Sequence, residues 1–186
     1  MHMGEHFRVL TIIKVFPDLV SMPTVKKIIV LAHSLELLLE ICDIVLGLLA
    51  TSIIHSVHLK NWSAHDTLFI SSASLTHLME QCQSLKALTL QSLEMDEDHY
   101  RALGAYSRPD LEIKLLFCEL TNAGATALAE VLGRNQGPNK LDRCYMDYAI
   151  LAVGLRGNSR LKSFNPYVSQ DLDICNREIL AIADAI

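Results

Sequence analysis

The chain has 186 residues, 51% of them hydrophobic and 20% charged, so it can bury one ordinary core and lacks the composition of a disordered tail. Its net charge is -5 and no three basic residues run together, which excludes the basic stripe that binders of nucleic acid or of anionic membranes carry. Leucine is in excess: 31 Leu stand against 11 aromatic residues, a balance that points to many equivalent small apolar positions.

In chain order, Met1 to Phe7 lacks the apolar stretch of a secretory signal. Phe7, Leu10, Ile12 and Val15 then open an apolar frame, and a helix is predicted over Thr24–His33. The segment from Ile28 to Ile54 is very apolar, but His33, Glu36, Glu40 and Asp43 interrupt it. Its longest uncharged run, Ile44 to Ile54, is 11 residues, whereas a membrane span needs about 20. A soluble core is expected, with no membrane association.

The clearest apolar frame is Leu85, Leu88, Leu90, Leu93 and Met95. It follows L-x-x-L-x-L-x-x-(N/C)-x-L, the leucine-rich-repeat pattern. Alternate strand residues share a face, so Leu88 and Leu90 are expected to point inward together. The same frame is read at Ser34-Leu37-Leu39-Cys42-Ile44 and at Ile54-Val57-Leu59-Trp62-Ala64. It is read again at Asp110-Ile113-Leu115-Cys118-Leu120 and at Leu141-Cys144-Met146-Ala149-Leu151. A seventh copy begins at Leu161-Phe164 and is degraded by Pro166, which cannot donate to a strand ladder.

Helices are predicted between the frames. One runs over Ser74–Cys82, and one opens with the acids Asp96, Glu97 and Asp98, placed where a helix N-terminus favours negative charge, and continues through Tyr100 and Leu103. Another runs from the N-cap Thr121 to a stop at Gly133. A short one covers Tyr148–Leu155, and the last covers Asn176–Ala185.

The stretch Glu112 to Leu132 carries an L-x-L-x-x-C/N-x-L strand followed by a G-x-x-x-L-A-x-x-L helix, and it resembles the ribonuclease-inhibitor-like type of leucine-rich repeat. The resemblance implies an α/β solenoid of about six to seven irregular repeats, forming a single domain over residues 1–186. Its curved parallel β-sheet would line the concave side and its helices the convex side. It also implies that Cys42 and Cys118 form a structural ladder by bonding neighbouring backbone turns, while Val15, Trp62, Leu93 and Ala149 depart from that slot.

Five cysteines, no C-x-x-C and no signal peptide favour reduced thiols in the cytoplasm, or else in the nucleus. His55 and His58 are three apart and would point to opposite strand faces, so no metal site is expected. Glu36 and Glu40 would lie roughly 13 Å apart on a strand, too far for a glycosidase pair. No cofactor and no catalytic residue is predicted.

Function is instead expected on outward strand positions: Glu36, Leu38 and Glu40; His58 and Lys60; Glu112, Lys114 and Leu116; Arg143, Tyr145 and Asp147. A surface of mixed charge with Leu38, Leu116 and Tyr145 as apolar anchors suits a protein partner, since interface hot spots favour Tyr and Arg. The first alternative is a regulator of a small GTPase, which the resemblance allows. The second is an uncapped fragment of a longer array, since solenoid ends need polar caps and both ends of this chain read as apolar. Self-association through those ends is the corresponding expectation.

Overall fold

The computed structural model of the protein describes residues 9–12, 27–32, 54–61 and 68–167, with Leu180, Ile182 and Asp184. In chain order its elements are β1 Val9–Ile12, β2 Lys27–Ala32, β3 Ser56–Asn61, β4 Leu68–Phe69, α1 Ser72–Gln81, β5 Ala87–Gln91, β6 Leu93–Met95, α2 Glu97–Ala105, β7 Glu112–Leu116, β8 Glu119–Leu120, α3 Asn122–Gly133, β9 Lys140–Asp142, α4 Tyr148–Leu155 and β10 Ser163–Asn165. Among the described residues these form a mixed α/β fold with two parallel sheets. The larger has the order β1-β2-β3-β5-β7-β9-β10 and the smaller β4-β6-β8.

Strict apolar alternation creates the main sheet. Val57 and Leu59, Leu88 and Leu90, and Ile113 and Leu115 are buried, while the residues between them are not. The register aligns one residue of each strand in a single row: Ile12, Val30, Leu59, Leu90, Leu115, Leu141 and Phe164. Successive members are 18, 29, 31, 25, 26 and 23 residues apart in the chain.

Three of the strands end in the same bend. Ser92, Phe117 and Arg143 have φ of 55, 54 and 51, a left-handed conformation that is uncommon for residues other than glycine. Each bend amide donates to the end of the next strand: Ser92 to the Leu116 carbonyl at 2.9 Å, Phe117 to Asp142 at 2.8 Å and Arg143 to Asn165 at 2.7 Å. The hydrogen bond recovered at each step holds the strained residue in place.

After the bend come the short strand, a buried apolar residue and a cap. Ile70, Met95, Leu120 and Met146 are buried, and Ser71, Asp96, Thr121 and Asp147 follow them as the N-caps of α1 to α4. Each cap side chain accepts from an amide of the first turn, which satisfies a donor that no helix carbonyl reaches. The residue four after each cap, Leu75, Tyr100, Ala125 or Leu151, is buried against the sheets.

The structure corrects several sequence expectations. Residues Lys27–Ala32 form a strand paired with β1 and β3, not part of a helix over Thr24–His33. The β-branched run Ile28-Ile29-Val30 suits a pleated sheet better than a helix. Leu68 pairs with Leu93, so Leu68 takes that position in its unit; Trp62, expected there, lies outside the described residues. Leu141 aligns with Leu115, not with the start of a frame, and Phe164 aligns with Leu141. The frame read from Leu141 was therefore five residues late and the one from Leu161 two residues late. Helix α1 starts at Ser72, two residues before the expected Ser74, because Ser71 caps it. Of the last predicted helix, Leu180 and Ile182 are helical among the described residues. No helix among the described residues is long and apolar enough to cross a membrane.

Candidate functional site

The outward face of the main sheet is built by the residues between the buried rows. Strand β3 contributes Ser56, His58 and Lys60, and β5 contributes Ala87, Thr89 and Gln91. Strand β7 contributes Glu112, Lys114 and Leu116, and β9 contributes Lys140 and Asp142. Ser163 and Asn165 of β10 belong to it, as does Ile29 of β2, in register with His58. Five residues expected on this surface thus stand there: His58, Lys60, Glu112, Lys114 and Leu116.

The register sets Lys114 directly opposite Lys140 on the neighbouring strand. Like charges in that relation repel. Each lysine is balanced by an acid on its own strand: Lys114 by Glu112 at 2.9 Å and Lys140 by Asp142 at 3.1 Å. Asp142 also accepts from Asn165 Nδ2 at 2.8 Å. That bond, with the one from Lys140, holds its carboxyl below the ordinary carboxylate range. Farther along the face, His58 Nε2 lies 3.0 Å from Gln91 Oε1.

Three expected residues lie elsewhere. Arg143 is the bend residue after β9, Tyr145 pairs with Glu119 beside the smaller sheet, and Asp147 caps α4. The five-residue register error moved them onto the face on paper, and it hid Lys140 and Asp142. The missing signal was Asn139-Lys140-Leu141, where a polar residue fills the first buried position and broke the apolar pattern. Glu36, Leu38, Glu40 and Cys42 lie outside the described residues.

Cys118 is buried at the turn after β7. Its Sγ lies 3.4 Å from the Leu90 carbonyl oxygen and 3.6 Å from that of Leu116. Cys144, read from the sequence as an inward strand residue, does the same one unit on, 3.5 Å from the Leu115 oxygen. Burial pushes the Cys82 thiol up to about 11, against the pull of Arg108. It is therefore protonated near neutrality and a poor nucleophile.

A groove of about 520 Å³ lies between α1 and α2, lined by Thr76, His77, Glu80, Arg101 and Tyr106 among others. Its polar groups are engaged with neighbours: the Tyr106 hydroxyl donates to Glu80, and Arg101 donates to Glu97 and Asp98.

Comparison with known proteins returns nothing: no family model, curated protein or solved structure matches the chain. The outward strand face carries paired charges and one half-buried leucine, Leu116.

Proposed function

We propose that the chain is a leucine-rich-repeat solenoid of the ribonuclease-inhibitor-like type. Its role is that of a non-catalytic protein-interaction module in the cytoplasm. The main sheet lines the concave side, the helices line the convex side, and a protein partner docks on the outward residues of β3, β5, β7, β9 and β10.

The observation that carries this reading is the single aligned row from Ile12 to Phe164, in strands that pair in chain order and run parallel. Stacked units of that kind place every strand on one side and leave a continuous exposed surface. The thiols of Cys118 and Cys144, bonded to the preceding strand, support the repeat type.

A photo-crosslinking residue placed at Thr89 on the sheet face, or at Thr126 on the exposed side of α3, separates this reading from its rivals. Partner crosslinks are expected from Thr89 and not from Thr126, and they should vanish in the double variant Lys114→Glu, Lys140→Glu. Equal crosslinking from both positions would overturn the assignment of the face.

A further inference from the structure

The displaced Tyr145 belongs to a second surface. The smaller sheet alternates as regularly as the larger: Leu93 and Met95, Cys118 and Leu120, and Cys144 and Met146 are buried. Glu94, Glu119 and Tyr145 stand between them and face outward. Glu94 is in register with Glu119, and Glu119 with Tyr145. Neighbouring strands lie about 4.8 Å apart, so the three side chains form one row roughly 10 Å across.

Two features of this row are costly without a partner. Carboxylates directly opposite each other on adjacent strands repel. Unlike Lys114 and Lys140, neither Glu94 nor Glu119 has an ion-pair partner among the described residues. Beside them Tyr145 is 61% exposed and Tyr167 is 47% exposed. The two rings meet edge to face with centroids 5.9 Å apart. Their arrangement is built: the buried Tyr148 hydroxyl donates to the Cys144 carbonyl and accepts from the Tyr167 amide at 2.6 Å, which fixes the chain on both sides of the pair.

We propose that the ledge of Glu94, Glu119, Tyr145 and Tyr167 docks a basic segment of a protein partner. Arginine or lysine side chains pair with the two carboxylates and lie against the tyrosine rings. The charge complementarity names the occupant, since paired carboxylates repel an acidic segment, and exposed rings beside them favour a cation over their faces. This surface is separate from the main sheet face and does not depend on what covers it.

The test is fluorescence anisotropy of a labelled hexa-arginine peptide with the full chain at low salt. The double variant Glu94→Gln, Glu119→Gln should weaken binding roughly fivefold or more. Tyr145→Leu should weaken it roughly two- to fivefold, while Tyr145→Phe keeps it. Removing the same charge elsewhere, with Asp110→Asn and Glu130→Gln, should leave it unchanged. Ring-proton shifts of Tyr145 and Tyr167 on adding peptide to the unaltered protein give a readout that needs no variant.

Equal loss in the Asp110, Glu130 control would overturn the proposal, because the peptide would then follow net charge alone. So would hexa-glutamate binding as tightly as hexa-arginine. Self-association of the chain that Tyr145→Leu abolishes would also overturn it, by assigning the ledge to a second copy.

Discussion

Cys118 and Cys144 occupy the same position one unit apart, and each thiol reaches the carbonyl of the strand before it, Leu90 at 3.4 Å and Leu115 at 3.5 Å. Both side chains are buried. A hydrogen bond with Cys144, together with burial, holds the Cys118 thiol well above its ordinary range. Replacing either by alanine removes a donor from a buried carbonyl and leaves a small void, at about 1–2 kcal/mol. Because the two thiols sit at equivalent positions of adjacent units and bond neighbouring strands, the effects should not add: the double variant should differ from the sum of the singles by about 0.5 kcal/mol or more. Urea unfolding of the four proteins checks this, and strict additivity would remove the ladder as a linked structure.

Asp96 and His99 close the N-terminus of α2 as a capping box. Asp96 accepts from the amides of Asp98 at 3.0 Å and His99 at 3.2 Å, and His99 Nε2 donates to the Ile70 carbonyl, tying this cap to the chain entering α1. Burial acts to raise the Asp96 pKa, but hydrogen bonds from His99 and Asp98 outweigh it, so the folded value lies below the ordinary one. A depressed carboxyl stabilises the fold above its unfolded pKa, about 3.9, and this is lost as pH falls through the folded value. Asp96→Ala should therefore cost about 1 kcal/mol at pH 7. The gap to the unaltered protein should close below roughly pH 4. A gap as wide at pH 2.5 as at pH 7 would show that the carboxylate charge is not what the cap uses.

Much of this architecture was legible in the residues. Leu85 to Met95 and Asp110 to Leu120 obey one frame, and their strands and buried faces follow it. Thr121, Asp96 and the limits of α4 were readable because caps and short apolar helices leave local marks. Register was legible only where the first buried position was apolar. At β9 that position is the buried Asn139 and at β10 it falls on the exposed Lys162, so the pattern could be satisfied a few residues later. Since a register decides which side chains face outward, Lys140 and Asp142 were lost to the sheet face, and Arg143, Tyr145 and Asp147 were wrongly placed on it. The ledge was not legible at all, because aligning Glu94, Glu119 and Tyr145 needs two registers at once.

Asn139 illustrates why pattern alone fails there. The register continues the buried row of Leu88 and Ile113 into this residue, yet it is polar and only 9% exposed. Its Oδ1 accepts from the Ile113 amide at 2.8 Å, and its own amide donates to the Ile113 carbonyl at 2.8 Å. Asn139→Leu restores the apolar row but leaves a buried amide without an acceptor, which costs about 1–3 kcal/mol. A thermal scan should show a lower midpoint for the leucine variant. A higher one would mean that the apolar row matters more than the ladder at the start of β9.

Helices α3 and α4 approach each other closely at Gly154. A Cβ on Gly154 would stand 2.1 Å from the Ala129 carbonyl oxygen and 2.5 Å from its Cα. Both neighbours are backbone atoms of α3, so no rotamer change relieves the overlap. The helices would have to separate, carrying Leu128, Leu132, Leu151 and Leu155 away from a closely packed interior. Gly154→Ala should cost about 3 kcal/mol or more, which for a chain of this size lowers the melting midpoint by roughly 6–12 °C. Gly133→Ala is the matched control. A Cβ there meets only the Gly154 Cα, at 4.0 Å, and the residue is exposed at the end of α3. Helix propensity should make that substitution neutral, or stabilising by up to about 1 kcal/mol. Two alanines one turn of packing apart should thus move stability in opposite directions, and equal effects would refute the close approach of α3 and α4 at Gly154.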